Sequence, residues 1–356
     1  MSILAVANQK ILCKMTKTLH IFLLVFIGYF CVAQSENQDS FKSTVAFYNL
    51  ENLFDTIDDP NIRDEEFLPG GDKQWGRERY FKKLGNMASI IASVNGGPDV
   101  LGVCEIENRA VMEHLAIVLR RYGVNYNLVH FDSPDGRGID VALMYNPQKF
   151  TPFYTEQLAV VDSEDPDFKT RDILYVKGLM DNDTLHFFVN HWPSRRGGKE
   201  DKRILAAKVL RAKVVELQDE NPQAKIIIMG DFNDDPYNKS ITEYLLAEGK
   251  KEKLDDGELF NTSFATHKKG YGTLKYRGAW NLFDQIIISQ GLLESNNAEG
   301  LKYIDESFRV YVQEKMLVQE GDYAGYPLRS FVGDRFDGGY SDHLPTYIIL
   351  KSNTVN

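Results

Sequence analysis

Two strand-like runs, Ile173–Leu179 and Thr184–Asn190, are separated only by Met180-Asp181-Asn182-Asp183. Asn and Asp favour the tight turns that join antiparallel strands. A parallel pair would need a crossover of a dozen residues or more. Tyr126–Phe131 and Ile139–Tyr145 repeat the arrangement around Asp135-Gly136. A purely parallel sheet is therefore excluded. Further runs rich in Val, Ile, Phe and Tyr, bounded by Gly, Pro, Asn or Asp, predict strands at Thr44–Leu50, Asp99–Cys104, Lys225–Gly230, Asp284–Ser289 and Thr346–Leu350.

Between them lie three helical stripes. Tyr80, Leu84, Met87, Ile91 and Val94 form the first; Val111, Leu115, Val118 and Tyr122 the second; Ala206, Leu210, Val214 and Leu217 the third. These are core faces and carry no function of their own. Two mixed, mainly antiparallel sheets packed together and flanked by helices, an α/β four-layer sandwich, satisfy both patterns. The 356 residues carry no repeat and no Pro/Gly/Ser-rich linker. One domain is expected over residues 42–352, after a short linker at 34–41.

The first 33 residues read as a targeting segment. Lys10, Lys14 and Lys17 precede the apolar stretch Leu19–Ala33, and Gln34 opens a polar run. A basic start, a short apolar core and a small final residue describe a secretory signal peptide cut after Ala33, with Met15 an alternative start. The run is shorter than the roughly 20 residues of a spanning helix, so no stable membrane span is expected. Cys31 opens a lipoprotein alternative, against which stands the poor lipobox Gly28-Tyr29-Phe30. Removing the segment takes three lysines and no acids, moving the net charge from −10 to −13. It leaves Cys104 as the single cysteine, so no intramolecular disulfide can form. So acidic a chain is no general nucleic-acid coat. An enzyme that meets phosphate through a cation or a local basic patch remains open.

The chemistry lies where the strands end. Apolar runs stop at Asn49 and Glu51-Asn52, Glu105, Asn190-His191, and Asp231-Phe232-Asn233; Asp284 opens a strand and Ser341-Asp342-His343 precedes the last. A single polar residue at a strand end is usually a turn former. Six ends bearing carboxylate, carboxamide or imidazole suggest a site. Such oxygens suit Mg²⁺ or Mn²⁺, with Ca²⁺ a further fit. There is no His/Cys cluster of the kind zinc favours, no G-x-S-x-G elbow and no P-loop pattern. Metal-assisted hydrolysis of a phosphate ester fits this donor set.

YNLEN (48–52), VLGVCEIEN (100–108), RGIDVALMY (137–145), VNHWPSRRGG (189–198), MGDFNDDP (229–236), FDQIIIS (283–289) and YSDHLPT (340–346) occur in this order. In these motifs the chain resembles the endonuclease/exonuclease/phosphatase superfamily over nearly its whole length after residue 33. That group includes deoxyribonuclease I, exonuclease III-type abasic-site endonucleases, neutral sphingomyelinases and inositol-polyphosphate 5-phosphatases. The arrangement looks most like exported bacterial members.

The resemblance implies roles. Glu105 matches the principal metal-binding glutamate, Asn49 supports the metal site, and Asp342 is the acid often linked to the metal. Asp231 and Asn233 match the residues that activate and hold the attacking water. Asp284 matches the aspartate that orients the terminal histidine, His343, and either Asp231 or His343 is the general base. His191 resembles the phosphate-contacting histidine of the deoxyribonuclease and sphingomyelinase branches; abasic-site endonucleases carry a Tyr-containing segment there. Arg137 occupies the place of a phosphate-contacting arginine or is a solvated turn residue. Arg195 and Arg196 open a basic run with Lys199, Lys202 and Arg203 that either draws in a polyanion or is a solvated helix start. Glu51 and Asn52 cap a turn or join the metal shell. Tyr323, Tyr326, Phe331, Phe336 and Tyr340 stack bases, dip into lipid or pack a long loop.

The implied activity is an exported, metal-dependent phosphodiesterase, foremost a nuclease acting on DNA or RNA as a monomer. A phosphomonoesterase or a sphingomyelinase-like phospholipase is the alternative. A third reading is a catalytically silent binding module.

Overall fold

Alternate residues of the first strand serve two different cores. Val45 and Phe47 join one buried cluster while Ala46, Tyr48 and Leu50 join another. Both faces of this strand are thus covered, which is why its sequence reads as a continuous apolar run. The computed structural model describes residues 41–293 and 300–352, and within them Phe41–Ser352 form one compact unit. The signal peptide, Cys31 and residues 34–40 of the linker lie outside the described residues.

The first sheet contains β1 (Phe41–Leu53), β2 (Val100–Ile106), β3 (Asn127–His130) and β4 (Asp140–Tyr145), and the second begins with β5 (Thr151–Leu158), β6 (Ile173–Met180), β7 (Asp183–His191) and β8 (Lys225–Asp231). Later in the chain, β9 (Leu259–Asn261) and β10 (Asp284–Ser289) extend the second sheet, and β11 (Thr346–Ser352) returns to the first. The order is β11-β1-β2-β4-β3 in the first sheet and β5-β6-β7-β8-β10-β9 in the second; short pairings at the edges bring each to seven strands. Only β1/β2, β7/β8 and the short Ala247–Glu248 pairing with β9 are parallel; the other neighbours within the two sheets are antiparallel.

Helices α1 (Arg77–Ser93) and α2 (Arg109–Leu119) bury their stripes against the outer face of the first sheet. Helix α3 (Glu200–Glu220) buries Ala206, Leu210, Val214 and Leu217 against the outer face of the second. Between the sheets, Val45 and Phe47 meet Leu185, Phe187, Val189, Ile227 and Met229. The result is the expected four-layer sandwich. At Gly102 the layers come so close that a Cβ would lie 2.7 Å from Met229 Sδ and 3.2 Å from the Phe47 ring. Glycine there lets β2 approach β8 just beneath the strand ends that carry the polar residues.

All nine expected strands are present, with ends shifted by a few residues. Two departures have physical reasons. Tyr122 is half-exposed and outside the core, because α2 tightens into a 3₁₀ turn at Arg120–Tyr122 that ends at Gly123 with φ 77°; Leu119 takes its buried place. Strand β5 was not expected from the sequence. It is an edge strand with Phe153 and Tyr154 exposed and Pro152 beside a register shift, so neither alternation nor composition marks it.

Candidate active site

The parallel pairs β1/β2 and β7/β8 carry their C-terminal ends to one place. Asn49 is in register with Cys104, and His191 with Asp231; antiparallel β10 brings Asp284 opposite Asp231. Glu105 follows Cys104 at an irregularity, where Cys104 pairs with Val141 but Ile106 already pairs with Asp140. Its φ is 57°. A left-handed glutamate costs about 1 kcal/mol, and the bulge turns its carboxylate out of the ladder.

The two sheets are joined across their ends by one side chain. Asn49 Nδ2 donates to Asp231 Oδ2 at 3.0 Å and to Glu105 Oε1 at 3.3 Å. Its Oδ1 accepts from Glu51 N at 2.8 Å. Reversing the amide would set oxygen against two carboxylates. Asn49 therefore supports Glu105 and does not present its own oxygen to the site. Asn52 N donates to Glu105 Oε2 at 3.0 Å.

Asp284 Oδ2 lies 2.7 Å from His343 Nδ1, and His343 Nε2 lies 3.7 Å from Asp231 Oδ2. Burial lowers the affinity of His343 for a proton, but Asp284 and Asp231 outweigh it and hold the imidazole well above its usual range. Asp231 is itself pushed up, chiefly by burial and further by Asp284 and Glu105, against the pull of His343 and of the Asn233 amide. Asn233 N donates to Asp231 Oδ1 at 2.9 Å, and its side chain donates to Trp192 O. His191 Nε2 stands 3.8 Å from both Glu105 Oε1 and Asp231 Oδ2. Burial first, then Arg171 and Arg137, hold this second imidazole well below its usual range, so the two histidines are shifted in opposite directions.

Asp342 is half-buried, and Arg329 Nη2 lies 3.0 Å from its Oδ2. Its neighbour Ser341 ties the loop to β1 by donating to Asn49 O at 2.7 Å. Glu105, His191, Asp231, Asn233, Asp342 and His343 line one cavity of about 850 Å³. The same cavity is lined by Arg63, Arg137, Lys169, Arg171, Arg196 and Lys199. Carboxylates and imidazoles thus share a hollow with six basic residues.

Arg195 departs from the expectation of a substrate-binding residue. Its guanidinium is engaged by Asn233 O, Asp234, Asp235 and Asn238 and lies over the Phe283 ring, and it is not among the residues lining the cavity. Arg203 is buried on Asp234 and Lys202 is tied to Asp162 and Asp165. Of the basic run, only Arg196 and Lys199 face the cavity.

Glu51 neither caps a turn nor joins the cavity wall. It is buried, 3.6 Å from Lys83 Nζ and 2.9 Å from Arg329 Nε, and accepts from Ser330 N. Phe331 and Phe336 pack on Trp75, whereas Tyr323 stays exposed beside Tyr326. Two residues went unmarked in the sequence. Arg171, 5 % exposed, donates to His191 O and Trp192 O and lies 2.8 Å from Asp135, pinning the end of β7. Arg329 braces Asp342. Neither sits in a motif, because each acts on partners far away in sequence.

The family model described as the Endonuclease/Exonuclease/phosphatase family matches residues 44–352. No curated protein sequence is a significant match. Among solved structures, truncated Caenorhabditis elegans TDP2 aligns with TM-score 0.53 at 16% identity, covering 88% of this chain and 98% of that one. D. rerio TDP2 complexed with single strand DNA product aligns with TM-score 0.52 at 14% identity, covering 87% and 98%. An endonuclease/exonuclease/phosphatase family protein from Bacteroides thetaiotaomicron gives 0.51 at 14% identity, covering 89% and 100%. At such identities the likeness concerns the fold.

Proposed function

The chain belongs to the endonuclease/exonuclease/phosphatase family, and on that premise we propose that it is an exported, monomeric, divalent-metal-dependent phosphodiesterase whose substrate is a nucleic acid. One observation carries the reading: the Asp284–His343 pair, Asp231 and Glu105 converge on a cavity that is also walled by basic side chains.

The donor set fits a hard cation. Glu105 and Asp342 offer carboxylate oxygens to the cavity, with Asn49 and Asn52 holding Glu105 and Arg329 holding Asp342. Asp231 is pushed up chiefly by burial and further by Asp284 and Glu105, and a divalent cation beside such carboxylates would bind favourably. Mg²⁺ or Mn²⁺ suits such ligands, and Ca²⁺ is the further candidate. When bound, the cation supplies neutralisation of the phosphoryl oxygens.

The chain's own residues do the rest. Asp231, raised by burial, takes the proton of the attacking water, which Asn233 helps to hold. His343, kept charged by Asp284, stabilises the oxygens as negative charge builds. His191 is neutral and stands between Glu105 and Asp231, suited to donate one hydrogen bond to a phosphoryl oxygen. Arg137, Arg196 and Lys199 attract and orient a polyanion.

A structural relative bound to single strand DNA product gives the fold a precedent for that ligand. The lipid alternative receives no support from the tryptophans: Trp75 and Trp192 are buried and Trp280 is half-buried. No helix among the described residues is long and apolar enough to cross a membrane. Export rests on the basic start, short apolar core and Ala33 of the first segment.

The test is a substrate panel of plasmid DNA, RNA, sphingomyelin, inositol phosphates and bis(p-nitrophenyl) phosphate, each with and without EDTA. EDTA-sensitive cleavage of DNA or RNA is expected. Cleavage of only sphingomyelin or only monoesters would redirect the assignment, and no hydrolysis at all would favour a binding module.

A further inference from the structure

Cys104 is buried and free of any disulfide. Its side chain lies on the face of β2 that meets the second sheet, directly before the bulged Glu105. Its Sγ, one ring nitrogen of His191 and one carboxylate oxygen of Asp231 all fall within 4.8 Å of one another. His191 is 5 % exposed, its Nδ1 has no hydrogen-bond partner, and its Nε2 comes no nearer than 3.8 Å to a carboxylate. A buried imidazole left without a hydrogen bond calls for an explanation, and sulfur beside it is a donor of no use to magnesium.

We propose that Cys104, His191 and Asp231 form a second metal site, for a soft divalent cation of the zinc class, with Cys104 buried behind the cavity wall that His191 and Asp231 line, and distinct from the oxygen-rich Glu105 and Asp342. One thiolate, one imidazole and one carboxylate are a zinc donor set, with bonds of about 2.0–2.3 Å. Tetrahedral bonds of that length separate neighbouring ligand atoms by roughly 3.5 Å, so the three groups need to draw together by about 1 Å. On binding, the sulfur–metal bond forms as the S–H bond breaks, and the proton leaves to solvent. No oxidant or reductant takes part.

The site has a consequence for the proposed hydrolase. Zinc seated there takes Asp231 and His191 out of service, so it inhibits even when magnesium saturates Glu105 and Asp342. This inhibition rests on the phosphodiesterase reading; the metal site itself does not.

The experiment uses the full chain carrying Cys13→Ser and Cys31→Ser, which leaves Cys104 as its only thiol, titrated with Co²⁺ in excess Mg²⁺. A thiolate-to-cobalt charge-transfer band in the near ultraviolet, saturating at one ion per chain and displaced by Zn²⁺, is expected. It should vanish in Cys104→Ala, or in Cys104→Ser if the alanine variant fails a thermal-melt control. His191→Gln should weaken cobalt binding tenfold or more. In parallel, with each variant scaled to its own zinc-free rate, Cys104→Ala should raise the half-inhibitory zinc concentration at least tenfold. Absence of the band, or a band indifferent to His191→Gln, overturns the site. A band in a chain that hydrolyses none of the panel keeps the site and rejects the hydrolase.

Discussion

His343 Nδ1 lies 2.7 Å from Asp284 Oδ2, and the other oxygen of this fully buried carboxylate has no hydrogen-bond partner. The charge of Asp284 is thus directed at one imidazole. Asp284→Asn removes it, and His343 then loses its proton at a lower pH. Its charged form is present below its folded pKa and is lost as pH rises through it, so the alkaline limb of the rate profile should move down. A fall in turnover of about 10²-fold or more is expected. Proton NMR titration of His343 in both proteins checks the cause; an unchanged titration would remove this coupling.

Arg196 and Lys199 line the cavity, and among the described residues neither forms an ion pair. Replacing both by alanine should raise KM for an oligonucleotide about tenfold. The slope of log affinity against log salt should flatten by roughly 0.7–0.9 per charge removed. Hydrolysis of bis(p-nitrophenyl) phosphate, which carries no neighbouring phosphates, should suffer much less. Equal losses on both substrates would place these residues elsewhere in the chemistry.

Arg171 lies 2.8 Å from Asp135, both side chains are buried, and its remaining donors hold the backbone at His191 and Trp192. Arg171→Leu leaves Asp135 buried with Arg137 alone, at 3.4 Å. A stability loss of about 3–5 kcal/mol is expected from urea unfolding. Adding Asp135→Asn should restore part of it; a loss below 1 kcal/mol would show that the pair holds little.

His186 is lowered to about 4 by burial first and by Lys177 and Lys213 next, and its Nδ1 lies 2.8 Å from Tyr175 Oη. Its folded pKa lies below the unfolded 6.5, so the unfolded chain binds more protons between these values. Stability is therefore full above pH 6.5 and falls as pH drops toward 4, by about 2 kcal/mol after allowing for partial exposure. His186→Asn keeps an acceptor for Tyr175 without the charge. Thermal melts from pH 7 to 4 should be flatter in the variant by that amount, and parallel curves would contradict the assignment.

What the sequence discloses follows from how locally each feature is written. Strands β1, β7 and β8 are legible because both their faces are buried, and the groups of the candidate site are legible because they stand at or beside the ends of strands. The edge strand β5 is covered on one side only in its sheet and reads as a loop. Glu51 shows the other limit. Its partners Lys83 and Arg329 come from a helix and from a distant segment before the last strand, and no local pattern announces an ion pair across that separation. Arg195 fails in the reverse direction: a basic run suggests an open cationic strip, but Asp234 and Asp235, which follow the neighbouring strand β8, neutralise its first member.

The proposed function requires Glu105 and His343 to serve one metal-dependent hydrolytic site. The direct measurement is the turnover of bis(p-nitrophenyl) phosphate and of plasmid DNA by wild type, Glu105→Ala and His343→Ala, in Mg²⁺ and in EDTA, with circular dichroism melts alongside. Wild-type activity should vanish in EDTA, and each variant should stay folded yet lose activity by about 10³-fold or more. Near-wild-type turnover in a folded variant, or wild-type hydrolysis that survives EDTA, would contradict it.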